Sequence, residues 1–202
     1  MTALSPEPRL TGHWRLLPAA CTSQKETLKL MGRKPWELSV IDKADEDFNL
    51  FHFKRQTRDG QDMHFFEKHV ILSLDSRFLK TLAALSRHLE FDKVKYAHKL
   101  VANNVEVDHV DDEKRFGPCK SRTTWEPNHE GHTGFTIRWF ISRGVLKVFH
   151  FLNERGQLQV EMDMHTTQGK TARCVKIYER APFTPEMQKL LDASPHKEFL
   201  VK

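Results

Sequence analysis

The sequence predicts a mainly β protein: a closed antiparallel up-and-down barrel of about ten strands, with a two-helix cap after the first strand and one further inserted helix. Three observations predict it. Segments that alternate apolar and polar residues recur along most of the 202 residues. Tight turns separate them, at Arg58-Asp59-Gly60-Gln61, Arg143-Gly144, Glu154–Gly156 and Gln168-Gly169. The alternation gives way to helical spacing after the first strand, over residues 75–99 and in the C-terminal tail. Hairpins in close succession would leave exposed sheet edges, and closing the sheet into a barrel abolishes them.

Residues 1–9 hold two prolines and read as a disordered lead-in. Leu10–Leu17 (LTGHWRLL) is the first expected strand. Ser23–Met31 then reads as a helix, with Thr22 or Ser23 as N-cap and Glu26 as its capping-box partner. A second short helix starts at Pro35, a residue suited to a first helical turn, and runs to about Lys43. From Phe48 the period changes to two. Phe48, Leu50 and His52 share one face, and the Asp59-Gly60 turn leads to a partner strand, Met63–Leu74. Over residues 75–99, Phe78, Leu79, Leu82, Leu85 and Leu89 recur at three- and four-residue spacing, which predicts an amphipathic helix. Strands resume at Val105–Val110 and continue as Lys120–Glu126, Phe135–Ser142, Val145–Leu152, Leu158–His165 and Lys170–Arg180. The expected organisation is a lead-in over 1–9, a barrel domain over 10–181 with its insertion at 75–99, and a helical tail over 182–202.

Composition narrows the function classes. No apolar run approaches the ~18 residues of a membrane-crossing helix, and the first residues lack the pattern of a secretory signal. Three cysteines, Cys21, Cys119 and Cys174, fit neither a disulfide framework nor a paired zinc site. A reducing, cytoplasmic setting and a monomer are the expectation. The net charge of +5 is without a block of like charges, which argues against nucleic acid and leaves a transient contact with an anionic membrane surface open. No sequence fingerprint for a metal, nucleotide or nucleophilic-serine site is present, so no cofactor is expected. His64 and His69, and His129 and His132, are spaced like surface-loop histidines without a third ligand.

Several motifs resemble the intracellular fatty-acid-binding protein family of the calycins, which includes the cellular retinoid-binding proteins. They are Gly12-x-Trp14-x-Leu16, the helical Glu26…Leu28-Lys29…Met31-Gly32, the acidic Val105–Phe116 leading into Lys120-Ser121, and Gly169-x-x-Ala172-x-Cys174-x-Lys176-x-Tyr178. The resemblance implies binding of a small lipophilic ligand inside the barrel. It also implies that Trp14 plugs the barrel bottom and that the last strand turns Cys174, Lys176 and Tyr178 inward. Lys176 stands where many members carry an arginine that grips a carboxylate. A lysine keeps the charge but not the planar fork. With one residue of turn insertion, His150 matches a second inward basic position. Beside Lys176 a neutral imidazole is expected, able to donate one hydrogen bond.

Strand parity extends the wall. Leu158, Val160, Met162 and Met164 share one face, and Gln159, Glu161 and Asp163 form a face polar enough to be solvent. Val148 and Leu152 accompany His150. Such side chains suit either a ligand cavity or a solid core. Phe149 and Phe151 then point outward and need cover, from the 75–99 helix or the tail. Cys174 has no activating base nearby and reads as an inert buried thiol. The leading expectation is a non-enzymatic carrier of a fatty acid, retinoid or similar molecule. The alternatives are a luciferase-like, pH-sensitive enzyme on the same barrel and an interaction module that presents the inserted helix.

Overall fold

The computed structural model of the chain describes residues 8–10, 12–35, 38, 49–58, 61–70, 96–100, 106–109, 118–182, 184, 185 and 189. Its strands are β1 (Gly12–Leu16), β2 (Asn49–Arg58), β3 (Gln61–Val70), β4 (Tyr96–Leu100), β5 (Glu106–His109), β6 (Cys119–Pro127), β7 (Thr133–Ile141), β8 (Gly144–Leu152), β9 (Leu158–Thr166) and β10 (Thr171–Arg180). They lie in one sheet in the order β4-β3-β2-β1-β10-β9-β8-β7-β6-β5. Every pairing described is antiparallel. Neighbours in the sheet are neighbours in sequence, except that β1 pairs with β10. The expected closed ring is therefore not completed among the described residues: β4 and β5, consecutive in sequence, stand at the two ends of the sheet.

From β6 onward each strand falls within two residues of its expected span, because period-two alternation and glycine turns act together there. The 75–99 expectation differs: Tyr96–Leu100 is strand, where Tyr96, His98 and Leu100 alternate with Ala97 and Lys99. Residues 71–95, which hold the rest of the expected inserted helix, lie outside the described residues, as does most of the 182–202 tail. The lead-in is also partly ordered. Pro8–Leu10 forms a 3₁₀ turn, Leu10 is buried, and the Arg9 carbonyl accepts a hydrogen bond from Arg180.

One helix, α1 (Lys25–Leu30), follows β1. Its N-cap is Gln24, without a side-chain cap bond, so the expected capping box is absent. Thr22 is committed elsewhere. Its N–H donates to the Val175 carbonyl (2.9 Å) and its hydroxyl accepts the Val175 N–H (2.7 Å), extending the β10 edge past the end of β1. The helix closes as a Schellman motif. Arg33 N–H donates to Leu28 O (3.0 Å) and Gly32 N–H to Lys29 O (2.9 Å), with Gly32 at φ +92°. A Cβ on Gly32 would come within 2.5 Å of the Arg143 guanidinium in the β7–β8 turn. Of the second expected helix, one turn is seen, where Leu38 N–H donates to Lys34 O (3.1 Å); residues 39–43 lie outside the described residues.

The core lies on one face of the sheet. Trp14 is fully buried, and its indole N–H donates to the Leu10 carbonyl (3.1 Å). The turn carrying Leu10 reaches across to β8, so Leu10 and Trp14 together cover one end of the inner face. The opposite face carries charge. On it Glu126 accepts two hydrogen bonds from Arg138 Nη2 (2.7 and 2.8 Å), one from Thr136 (3.0 Å) and one from Thr124 (3.1 Å), with the Lys147 ammonium at 3.3 Å.

Partial burial of Glu126 works to raise its pKa. The hydrogen bonds from Arg138 and Thr136, the Arg138 charge and the Thr124 hydroxyl outweigh it, and the carboxyl titrates below its usual value of 4.5. A lowered folded pKa means stabilisation that is present above pH 4.5 and lost as pH falls through the folded value. Glu126→Gln is expected to cost about 1–2 kcal/mol at pH 7. The difference from the wild type should shrink as pH falls below 4.5, as urea titrations across pH would show.

Candidate functional site

Strand pairing sorts the inner face into rows. Leu16, Tyr178, Leu158 and Leu152 are successive partners across β1, β10, β9 and β8. The next row is Lys176, Val160, His150, Phe135 and Trp125, running from β10 to β6. Then come Cys174, Met162, Val148, Ile137 and Thr123, and after them Ala172, Met164, Leu146, Trp139 and Ser121. Every residue of the expected wall thus lies on one face: Cys174, Lys176, Tyr178, His150, Val148, Leu152, Leu158, Val160, Met162 and Met164.

Their burial is uneven, and the unevenness is informative. His150 and Val160 are 1% and 3% exposed, and Leu146 and Met164 are 3% and 0% exposed. Val148 and Met162, the register pair between them, are nevertheless partly exposed. A core at the usual packing density would have covered both, so at the Val148–Met162 level this face is less tightly covered than in the rows beside it.

One row away stand the polar groups. Lys176 is 5% exposed and Tyr178 fully buried. Val160 separates Lys176 from His150, so their backbones are two strand spacings apart, about 10 Å. His150 Nδ1 lies 3.3 Å from the carbonyl oxygen of Phe135, its partner on β7. A carbonyl can only accept, so this contact is a hydrogen bond in the tautomer that carries its proton on Nδ1. In that tautomer Nε2 is an acceptor, and it becomes a donor only in the imidazolium. The imidazole also packs on Phe135 (5.5 Å between centroids), which in turn packs on Trp125 (5.7 Å).

Sequence reasoning missed the β6 and β7 contributions to this face. Phe135, Ile137, Trp139 and Ile141 alternate with Thr136 and Arg138, a signal that could have found them. Ser121 and Thr123, 1% and 3% exposed, give no such signal, since they are polar themselves and share their face with only two apolar residues, Cys119 and Trp125. The outer face of β9 was also misjudged as solvent. Glu161 is only 8% exposed and is held by Arg173 (2.8 Å) and Gln159 (2.8 Å). Phe149 and Phe151 do point outward, stacked at 5.0 Å, yet both are buried. Among the described residues their cover includes the His132 ring, stacked 5.0 Å from Phe151, and the Lys147 ammonium over Phe149. His129 is exposed in the same turn. Among the described residues no three His, Cys, Asp or Glu side chains gather as a metal site, and the cysteines described are free thiols. No described helix is long and apolar enough to cross a membrane.

The chain is thus an antiparallel up-and-down β protein, with a short helix after its first strand and a polar group of residues on an otherwise apolar inner wall. No protein-family model matches the chain, and no curated protein matches it in sequence. Solved structures match its fold. One is the crystal structure of the wild-type fluorescent protein UnaG (TM-score 0.55, 14% identity, covering 86% of this chain and 98% of that one). Another is apo lipid binding protein 8 of Caenorhabditis elegans (TM-score 0.58, 13% identity, covering 89% of this chain and 100% of that one). The chain shares the fold of these two proteins.

Substitution distinguishes a void from a packed wall. Val148→Phe should change stability by less than about 0.5 kcal/mol, because the ring enters open space. Ile137→Phe, next to it in the row and 3% exposed, should cost about 1–3 kcal/mol by overpacking. Equal costs for the two in urea unfolding would contradict a void at Val148.

Proposed function

We propose that this protein binds and carries a lipophilic small molecule with an acidic or similarly polar head, without altering it chemically. The observation that carries the reading is the partly exposed Val148–Met162 pair, open in the middle of an apolar wall and one row from the buried Lys176. Transfer of apolar ligand surface into such a space is favourable by about 25 cal/mol per Å², so each 40 Å² or so contributes roughly 1 kcal/mol. The likeness of the fold to a protein described as lipid binding supports the same class of ligand.

In this reading Lys176 and Tyr178, two apart on β10, orient the head. The ammonium supplies charge and movable donors, and the phenol adds one hydrogen bond. With a single-pronged cation in place of a fork, discrimination between a carboxylate and another anionic or strongly polar head is modest. His150 strengthens anion binding only when protonated, since its neutral Nε2 offers a lone pair. Leu158, Val160, Met164, Leu152 and Cys174 supply contact area and no chemistry.

Native mass spectrometry of the purified protein and uptake of a fluorescent fatty acid test the reading together. A co-purifying lipid or saturable uptake is expected, and the absence of both would overturn it. Lys176→Met should weaken a long-chain carboxylate by about 10- to 100-fold, the worth of a charge-assisted hydrogen bond. The corresponding alcohol should change by less than threefold. Equal losses for acid and alcohol would mean that Lys176 shapes the wall rather than binding the head.

A further inference from the structure

Thr27 lies at the middle of α1 and is 1% exposed, yet among the described residues its hydroxyl makes no hydrogen bond. A helical threonine usually bonds the carbonyl four residues back, and Thr27 does not. A buried hydroxyl without a partner is costly, so this position calls for an explanation.

The placement of α1 supplies one. Its approach is tied to β10 by the Thr22–Val175 pair, and its C-terminal end abuts Arg143 in the β7–β8 turn. Between these two points the helix packs on β10 and β9. It therefore crosses the end of the inner face opposite Trp14. Thr27, Leu30 and Met31 are spaced i, i+3, i+4 and share one helix face. Leu30 and Met31 of that face pack against the core cluster. The exposed side carries Lys25, Glu26 and Lys29. The Thr27 hydroxyl thus belongs to the inward side of the helix that covers this end. Lys176 belongs to a different element, and about 13 Å of strand runs from it to Ala172 near the end of β10.

We propose that Thr27 is a specificity-determining residue that hydrogen-bonds a second polar group of the ligand, so that the preferred ligand is lipophilic in its middle and polar at both ends. The inference rests on the ligand-binding reading above. A hydroxyl or carbonyl remote from the acidic head satisfies Thr27, whereas a plain alkyl terminus leaves it unpaired and is selected against.

Paired probes test it: ω-hydroxyalkanoates and the unsubstituted alkanoates of equal length, from ten to sixteen carbons, displacing a fluorescent fatty acid. At the best-fitting length the wild type should prefer the hydroxy acid about tenfold, and Thr27→Val, of the same shape, should abolish the preference. Equal binding of the two series by the wild type, or a preference that survives in Thr27→Val, overturns this inference and leaves the ligand-binding reading intact. Failure of both series to displace the probe overturns that reading as well. Thermal unfolding of the delipidated protein gives an independent readout. Thr27→Val should unfold at an equal or higher temperature, because a methyl replaces an unpaired hydroxyl. A lower temperature would show that the hydroxyl already has a partner in the empty protein, and would overturn the inference.

Discussion

The pairing of the first strand with the last is the constraint on which the rest of the structure depends. Trp14, Arg15 and Leu16 face Arg180, Glu179 and Tyr178 across some 160 intervening residues. Bringing such distant segments together costs chain entropy that grows slowly with loop length, and several interactions are concentrated where the ends meet. Trp14 is fully buried beneath the Arg180 guanidinium (4.6 Å to the ring), Arg15 pairs with Glu179, and Leu17 N–H donates to Ile177 O (2.8 Å). The pairing joins two meanders, β1–β4 and β5–β10, into one sheet whose ends are β4 and β5. It also leaves the upper edge of β10 uncovered where β1 stops at Leu16. The chain from Leu17 to Thr22 fills that edge and delivers α1 to the end of the inner face. The helix at that end and the polar group on β10 are thus positioned by one contact.

How much of this was legible in the sequence depended on whether a strand has two unlike faces. In β8, β9 and β10 one parity is apolar, so the inward assignment of His150, Leu158, Val160, Met162, Met164, Cys174, Lys176 and Tyr178 followed from spacing and resemblance. In β6 the inward parity mixes Cys119 and Trp125 with Ser121 and Thr123, and those two hydroxyl residues gave no sign of facing inward. Glu161 misled for the opposite reason. A carboxylate reads as solvated, but Arg173 and Gln159 satisfy it on an outer face where it pairs across with Phe149. The α1 cap was only partly legible because Thr22 has a tertiary use: its backbone and hydroxyl both bond Val175, while the Ser23 hydroxyl accepts the Lys25 N–H at the helix start. Which residue bonds a distant strand is tertiary information that local pattern does not hold. The same limit applied to the looser cover at Val148 and Met162, which depends on side-chain conformations rather than on which residues face in.

Opposite requirements meet on β8, and Gly134 reconciles them. His150 must face inward beside Val160, which sends Phe149 and Phe151 to the outer face, where large apolar rings are costly to leave in water. A Cβ at position 134 would lie 2.4 Å from the His150 carbonyl and 2.7 Å from the Phe149 ring. Only glycine lets β7 approach β8 closely enough for that ring to lie flat beside it. His132, in the turn just before that strand, then stacks on Phe151. The aromatic pair is flanked on one side by the Glu126–Arg138–Lys147 network and on the other by Glu161 with Arg173. Charges placed this way shield the rings while their own hydrogen bonds remain satisfied. The ion pairs and stacked rings thus let β8 and β9 carry aromatic bulk outward while His150 and Val160 keep their inward register.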